Sequence, residues 1–123
     1  MNNKDLPFLE HRYKSIGYAF KGMFLLLKTE ASIQVQFSIA VILTVAGFYF
    51  DISAVEWMIQ TFAVVLVMST EALNTGLEKL CDFVHEDFEP RIGFIKDIAA
   101  GAVAISATGA FIIALILYLP KIM

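Results

Sequence analysis

Two stretches without a charged residue constrain this chain before any other feature does. Residues 32–50, SIQVQFSIAVILTVAGFYF, run for nineteen positions, and residues 98–119, IAAGAVAISATGAFIIALILYL, run for twenty-two. As helix, each can cross a hydrocarbon layer about 30 Å thick, which takes about 20 residues. The composition agrees. Of 123 residues 59% are hydrophobic and 17% charged, against about 45–50% and about 25% in soluble domains. A soluble domain this short leaves much of its surface exposed, so lipid is the expected solvent. The expected fold class is all-α and integral to a membrane, with residues 1–123 as a single domain.

A third span needs a concession. Trp57 to Thr70 is uncharged for fourteen residues, which is too short alone. Extended through ALNTGL to Leu77 it suffices, provided Glu71 is tolerated in or near the membrane. The expected transmembrane helices are therefore 32–50, 55–80 and 97–119. The basic residues orient them. Lys4, Arg12, Lys14, Lys21 and Lys28 precede the first span, and Lys79, Arg91 and Lys96 lie between the second and third. Only Lys121 of the nine falls on the other side. The excess of Lys and Arg on cytoplasmic loops places the N-terminus and the 79–97 loop in the cytoplasm.

Residues 8–28 differ. Tyr13, Ile16, Phe20, Met23, Phe24 and Leu27 recur at helical spacing, and Glu10, Lys14, Lys21 and Lys28 lie opposite them. A basic amphipathic helix of this kind lies in the membrane interface, with its lysines near anionic headgroups. In the third span Ala99, Ala100, Gly101, Ala102, Ala104, Ser106, Ala107, Gly109 and Ala110 form a small-residue tract. Small residues let transmembrane helices approach closely, and three helices make a thin bundle, so a homo-oligomer is expected. The net charge of −3 lacks the basic footprint of a nucleic-acid partner. Cys81 is the single cysteine and forms no internal disulfide. No cleavable signal segment is expected in the first thirty residues, which carry charge throughout.

The second span ends in a column of polar residues: Glu71, Asn74, Thr75, Glu78 and Asp82. At 100° and 1.5 Å per residue they fall within about 100° of one another, along about 16 Å of helix. Carboxylates in a span are costly and face a bundle interior or a water-filled cavity. They also repel one another at three- and four-residue spacing. A divalent metal, Lys96, or both must compensate. Glu78 and Asn74 are one turn apart and offer oxygens to one hard cation. Magnesium takes a few carboxylates together with phosphate oxygens and water. Glu30 precedes the first span at the same level, as do the acidic loop His85 to Pro90 and the Lys96–Asp97 pair. From the residues alone, an oligomeric proton or ion pathway and an assembly subunit with buried acids are the alternatives.

EALNTGLEKLCD at 71–82, followed by KDIAAGAV at 96–103, resembles the signature of the prokaryotic diacylglycerol kinase family, which includes the undecaprenol kinases. That pattern is Glu-x-x-Asn-Ser/Thr-x-x-Glu-x-x-x-Asp on the second span, then Lys-Asp and small residues opening the third. GYAFKG at 17–22 is similar to the family's N-terminal helix. The resemblance implies a homotrimeric lipid kinase of the prokaryotic cell membrane, with active sites between subunits and no P-loop. It implies ATP and Mg2+, with a membrane lipid as acceptor: diacylglycerol first, undecaprenol as the alternative. It makes Glu71 the general base and gives the metal to Glu30 and Glu78. The ATP site it implies comprises Arg12, Tyr18, Glu30, Asn74, Glu78, Asp82, Asp87, Phe88, Glu89, Lys96 and Asp97.

Overall fold

The computed structural model describes residues 5–85, 87 and 89–123. They form four helices: α1 (Asp5–Thr29), α2 (Ala31–Tyr49), α3 (Ala54–Val84) and α4 (Pro90–Ile122). The last three are long and apolar enough to cross a membrane. α3 is central. It packs most extensively along α4 and more lightly against α2, and α1 touches α2. Side-chain pairs fix the direction of α4 against α3. Asp82 meets Lys96, Thr70 meets Ser106, Gln60 meets Tyr118, and Glu56 meets Lys121. The α3 number falls as the α4 number rises, so the two helices are antiparallel.

The α2–α3 turn is built from local hydrogen bonds. α2 ends in a Schellman motif. Ile52 N–H reaches Gly47 O at 3.1 Å and Asp51 N–H reaches Phe48 O at 3.3 Å. Asp51 takes the left-handed position with φ 51°, where Asp is tolerated better than most non-glycine residues. Two residues on, Ser53 caps α3. Its Oγ accepts from Glu56 N–H at 3.2 Å, and Glu56 Oε1 accepts from Ser53 N–H at 3.0 Å, a complete capping box. The other Glu56 oxygen takes the Lys121 ammonium at 2.7 Å. Ile52, Leu117 and Tyr118 form the buried core here, flanked by Leu43, Ala46, Phe50 and Trp57. Gly47 is needed in this core, because a Cβ there would come within 3.0 Å or less of three Trp57 ring atoms. Gln60 donates to Leu43 O at 3.1 Å, and the Tyr118 hydroxyl donates to Gln60 Oε1, so all three long helices are joined at this end.

The helices overrun the spans read from hydropathy. α4 opens at Pro90, ahead of the expected 97–119 span, and α3 runs to Val84, past the expected 55–80 span. The 79–97 connection is therefore mostly helix, and only 85–89 separates the two elements. Charge marks where a helix leaves lipid, not where it ends. The start of α4 is set by proline at its first position and by Glu89, whose carboxylate accepts from Arg91 N–H at 3.3 Å, the usual chemistry of a helix start. Little of the apolar surface is buried within one chain. Ile42, Val45, Phe62, Ile105 and Ile116 are all more than half exposed, as lipid or neighbouring subunits require.

Candidate active site

The polar column lies on one continuous helix, α3, near the end opposite the α2–α3 turn. Its exposure changes along its length. Thr75 is buried, Glu71 and Asn74 are half-buried, and Glu78 and Asp82 are exposed. The column thus runs from the packed bundle outward, as its spacing leads one to expect.

Each of the first two carboxylates is held by an amide. Gln36 of α2 donates Nε2–H to Glu71 Oε2 at 3.4 Å, and Asn74 donates Nδ2–H to Glu78 Oε1 at 3.4 Å. An ionised carboxylate only accepts, so each amide must turn its N–H toward it and its carbonyl oxygen away. Those two oxygens, Gln36 Oε1 and Asn74 Oδ1, are buried without a partner among the described residues. Buried polar atoms are paired in the great majority of cases. Two orphans of the same kind, each one bond removed from a carboxylate of the column, mark acceptors that this chain leaves open.

The cations are placed elsewhere. Lys96 Nζ sits 2.6 Å from Asp82 Oδ1, and Lys79 Nζ sits 3.3 Å from Glu30 Oε1. Lys79 pins the acid before α2 to the flank of α3. Among the described residues neither Glu71 nor Glu78 has a basic partner. The compensation expected from Lys96 reaches the outer end of the column and leaves its inner end uncompensated.

Among the described residues, the other expected site residues make no side-chain hydrogen bond or ion pair with the column. Arg12 lies over the Phe8 ring of its own helix at 5.3 Å, and Tyr18 is exposed on α1. Glu89 is engaged at the start of α4 with Arg91, whose Nε lies 3.2 Å away. Asp87 is exposed and its backbone carbonyl meets His85 Nδ1 at 2.7 Å. Asp97 is exposed on α4. Phe88 lies outside the described residues. Among the described residues no three His, Cys, Asp or Glu side chains cluster. Asn74 and Glu78 are in contact, whereas Glu30 is paired with Lys79. All three offer oxygen atoms, the kind of donor magnesium takes beside phosphate and water.

Two contributors were absent from the residues expected at the site. Lys79 reads in sequence only as an orientation charge. Gln36 reads as one of two glutamines in an uncharged span. A hydrogen-bonding side chain inside a hydrophobic helix is the available signal, because it must find a partner there.

The family model described as prokaryotic diacylglycerol kinase matches residues 17–118. This chain belongs to that family. It is similar to an undecaprenol kinase of Bacillus subtilis (strain 168), with 33% identity over 123 residues, covering 99% of this chain and 100% of the relative. It is also similar to a diacylglycerol kinase of Escherichia coli (strain K12), with 31% identity over 94 residues, 76% of each. A diacylglycerol kinase of Synechocystis is 29% identical over 110 residues, 89% of this chain and 63% of the relative. As a member of the diacylglycerol kinase family the chain is a lipid kinase and a membrane protein, acting on a lipid and a nucleotide phosphate donor. The ion-pathway and assembly readings are set aside.

Proposed function

We propose that this chain transfers the γ-phosphate of ATP to the primary hydroxyl of a membrane lipid, with Glu71 as the base. The observation that carries this reading is the position of Glu71. It is a half-buried carboxylate at the inner end of a polar column whose outer end carries an exposed Asp82–Lys96 pair. Phosphoryl transfer asks mainly for positioning and for neutralisation of phosphate charge. Glu71 takes the hydroxyl proton as the lipid oxygen bonds to the γ-phosphorus. The bond from that phosphorus to the bridging oxygen breaks, and ADP leaves. Lys96 moves from Asp82 to a phosphate oxygen, exchanging one anion for another. Asn74, Glu78 and Glu30 would hold Mg2+, which supplies charge neutralisation on the phosphates when bound. Asp97, Asp87, Phe88, Glu89, Tyr18 and Arg12 complete the nucleotide site.

Arg12 and Tyr18 lie on α1, away from the column of their own chain, and this supports sites shared between copies. We assign a homotrimer, packed through small residues of α4 such as the exposed Ala100, Ala104 and Ala107. α1 then lies in the interface of the cell membrane on the cytoplasmic side, with Tyr13, Phe20 and Phe24 toward lipid. Between the acceptors named by the relatives, undecaprenol comes first. The matching undecaprenol kinase aligns along the whole chain, whereas the Escherichia coli diacylglycerol kinase aligns along 76% of it. This reverses the order suggested by the motif resemblance alone.

The test is transfer from γ-labelled ATP with magnesium in mixed micelles containing undecaprenol or diacylglycerol. Label is expected in undecaprenyl phosphate. Label in phosphatidic acid alone would keep the kinase and reverse the acceptor. Label in neither lipid, from assembled protein, would refute the reading.

A further inference from the structure

The partner of Glu71 is unusual in its surroundings. Gln36 lines a cavity of about 340 Å³ between α2, α3 and α4, walled otherwise by Ala, Leu, Ile, Val, Met and Phe side chains. Gln36 is the one residue of that wall with a hydrogen-bonding side chain. Its N–H holds Glu71 Oε2, and its own Oε1 is buried and unpaired. An isolated amide in such a setting is costly, yet this one makes a single side-chain hydrogen bond among the described residues. That bond holds a carboxylate and orients it.

We propose that Gln36 is the positioning residue of the transfer reaction, fixing Glu71 and, through it, the acceptor hydroxyl. This rests on the assignment of Glu71 as base. The Gln36 N–H occupies Glu71 Oε2, which leaves Oε1 as the oxygen that takes the proton. Before transfer the alcohol donates its single proton to that Glu71 oxygen in a hydrogen bond, which holds the alcohol oxygen beside the base. The apolar cavity that Gln36 lines receives the chain segment next to that hydroxyl. The ligand class is a long-chain primary alcohol or an acylglycerol, whose polar end is small enough to be read by one carboxylate. On phosphoryl transfer the alcohol loses its proton to Glu71 and no longer donates to it, so the product is released from this contact.

Two substitutions separate the hydrogen bond from the space it fills. Gln36→Met keeps length and removes the amide. Gln36→His changes shape and keeps an N–H donor. With the lipid that accepts label, Gln36→Met is expected to lower kcat by about tenfold or more, the scale of one hydrogen bond to a charged group. The lipid KM rises and the ATP KM stays within about twofold. Gln36→His is expected to retain more kcat than Gln36→Met. Assembly is checked by sedimentation and helix content by circular dichroism. Should the Met variant fail to assemble, Gln36→Asn, which withdraws the amide by one methylene, carries the same kinetic test. Wild-type kcat in Gln36→Met, or a Met variant more active than the His variant, overturns the proposal. Glu71→Gln is run alongside. If it is inactive while Gln36→Met is normal, the base stands and the role of Gln36 falls. If Glu71→Gln is active, the underlying reading of the site falls.

Discussion

The two ends of the helical bundle treat their polar groups in opposite ways. At the α2–α3 turn, Glu56 is held by Ser53 and by Lys121, and Gln60 by Tyr118 and Leu43 O. Those groups find their partners within the chain. At the far end, Gln36 and Asn74 each keep a buried oxygen unpaired, and Glu71 and Glu78 lack a cation among the described residues. The closed end carries the buried core and the pinning of α2, α3 and α4. The open end carries groups left unpaired among the described residues. Polar residues in a membrane span serve both purposes, and what separates them is whether the chain supplies the second partner.

This contrast breaks if a closed-end change costs activity or an open-end change costs stability. The largest expected effect is at the open end. Lys96→Met should lower kcat/KM for ATP about 10²- to 10³-fold, the scale of losing one charge-stabilising group, with the unfolding midpoint in detergent nearly unchanged. Steady-state kinetics beside thermal unfolding checks both halves. Next is Gly47→Ala at the closed end. The added methyl meets the Trp57 ring, and overpacking of this kind costs about 1–3 kcal/mol. The loss should appear in denaturant unfolding while the folded enzyme keeps its kcat.

A smaller effect should follow Lys121→Met. It removes a pair in which both side chains are about a quarter to a third exposed, so the cost is small after solvent screening. Its dependence on salt distinguishes it from a packing loss. The smallest is Asp51→Gly. Glycine takes the left-handed position without the Cβ penalty, so stability should rise by about 1 kcal/mol or less, with no change in transfer.

The polar column and the three long helices were legible in the sequence, each for its own reason. The polar column of α3 was readable because helical geometry puts residues three and four apart on one face whatever surrounds them. The three long helices were readable because uncharged runs have few other solutions. Helix ends were less so. Hydropathy stops at the charges of Lys79 and Lys96, whereas α3 and α4 continue to Val84 and back to Pro90. Pairings between helices were not legible at all. That Gln36 meets Glu71, Lys79 meets Glu30 and Lys121 meets Glu56 depends on the register of packed helices, which no local spacing encodes. The Lys96–Asp82 contact was only half anticipated: the lysine was expected to relieve the column, but it does so at the outermost acid.

The central claim is that Glu71 is a chemical group rather than a structural one. The direct measurement is lipid phosphorylation from γ-labelled ATP by Glu71→Gln and by unaltered protein, side by side, with oligomeric state and helix content matched. Glutamine keeps the shape and the polarity, and it cannot take the proton. Loss of a positioned general base costs about 10²- to 10⁴-fold, and a fall of that size in protein that remains folded and assembled is the expected result. Transfer within about tenfold of the unaltered protein would contradict the account.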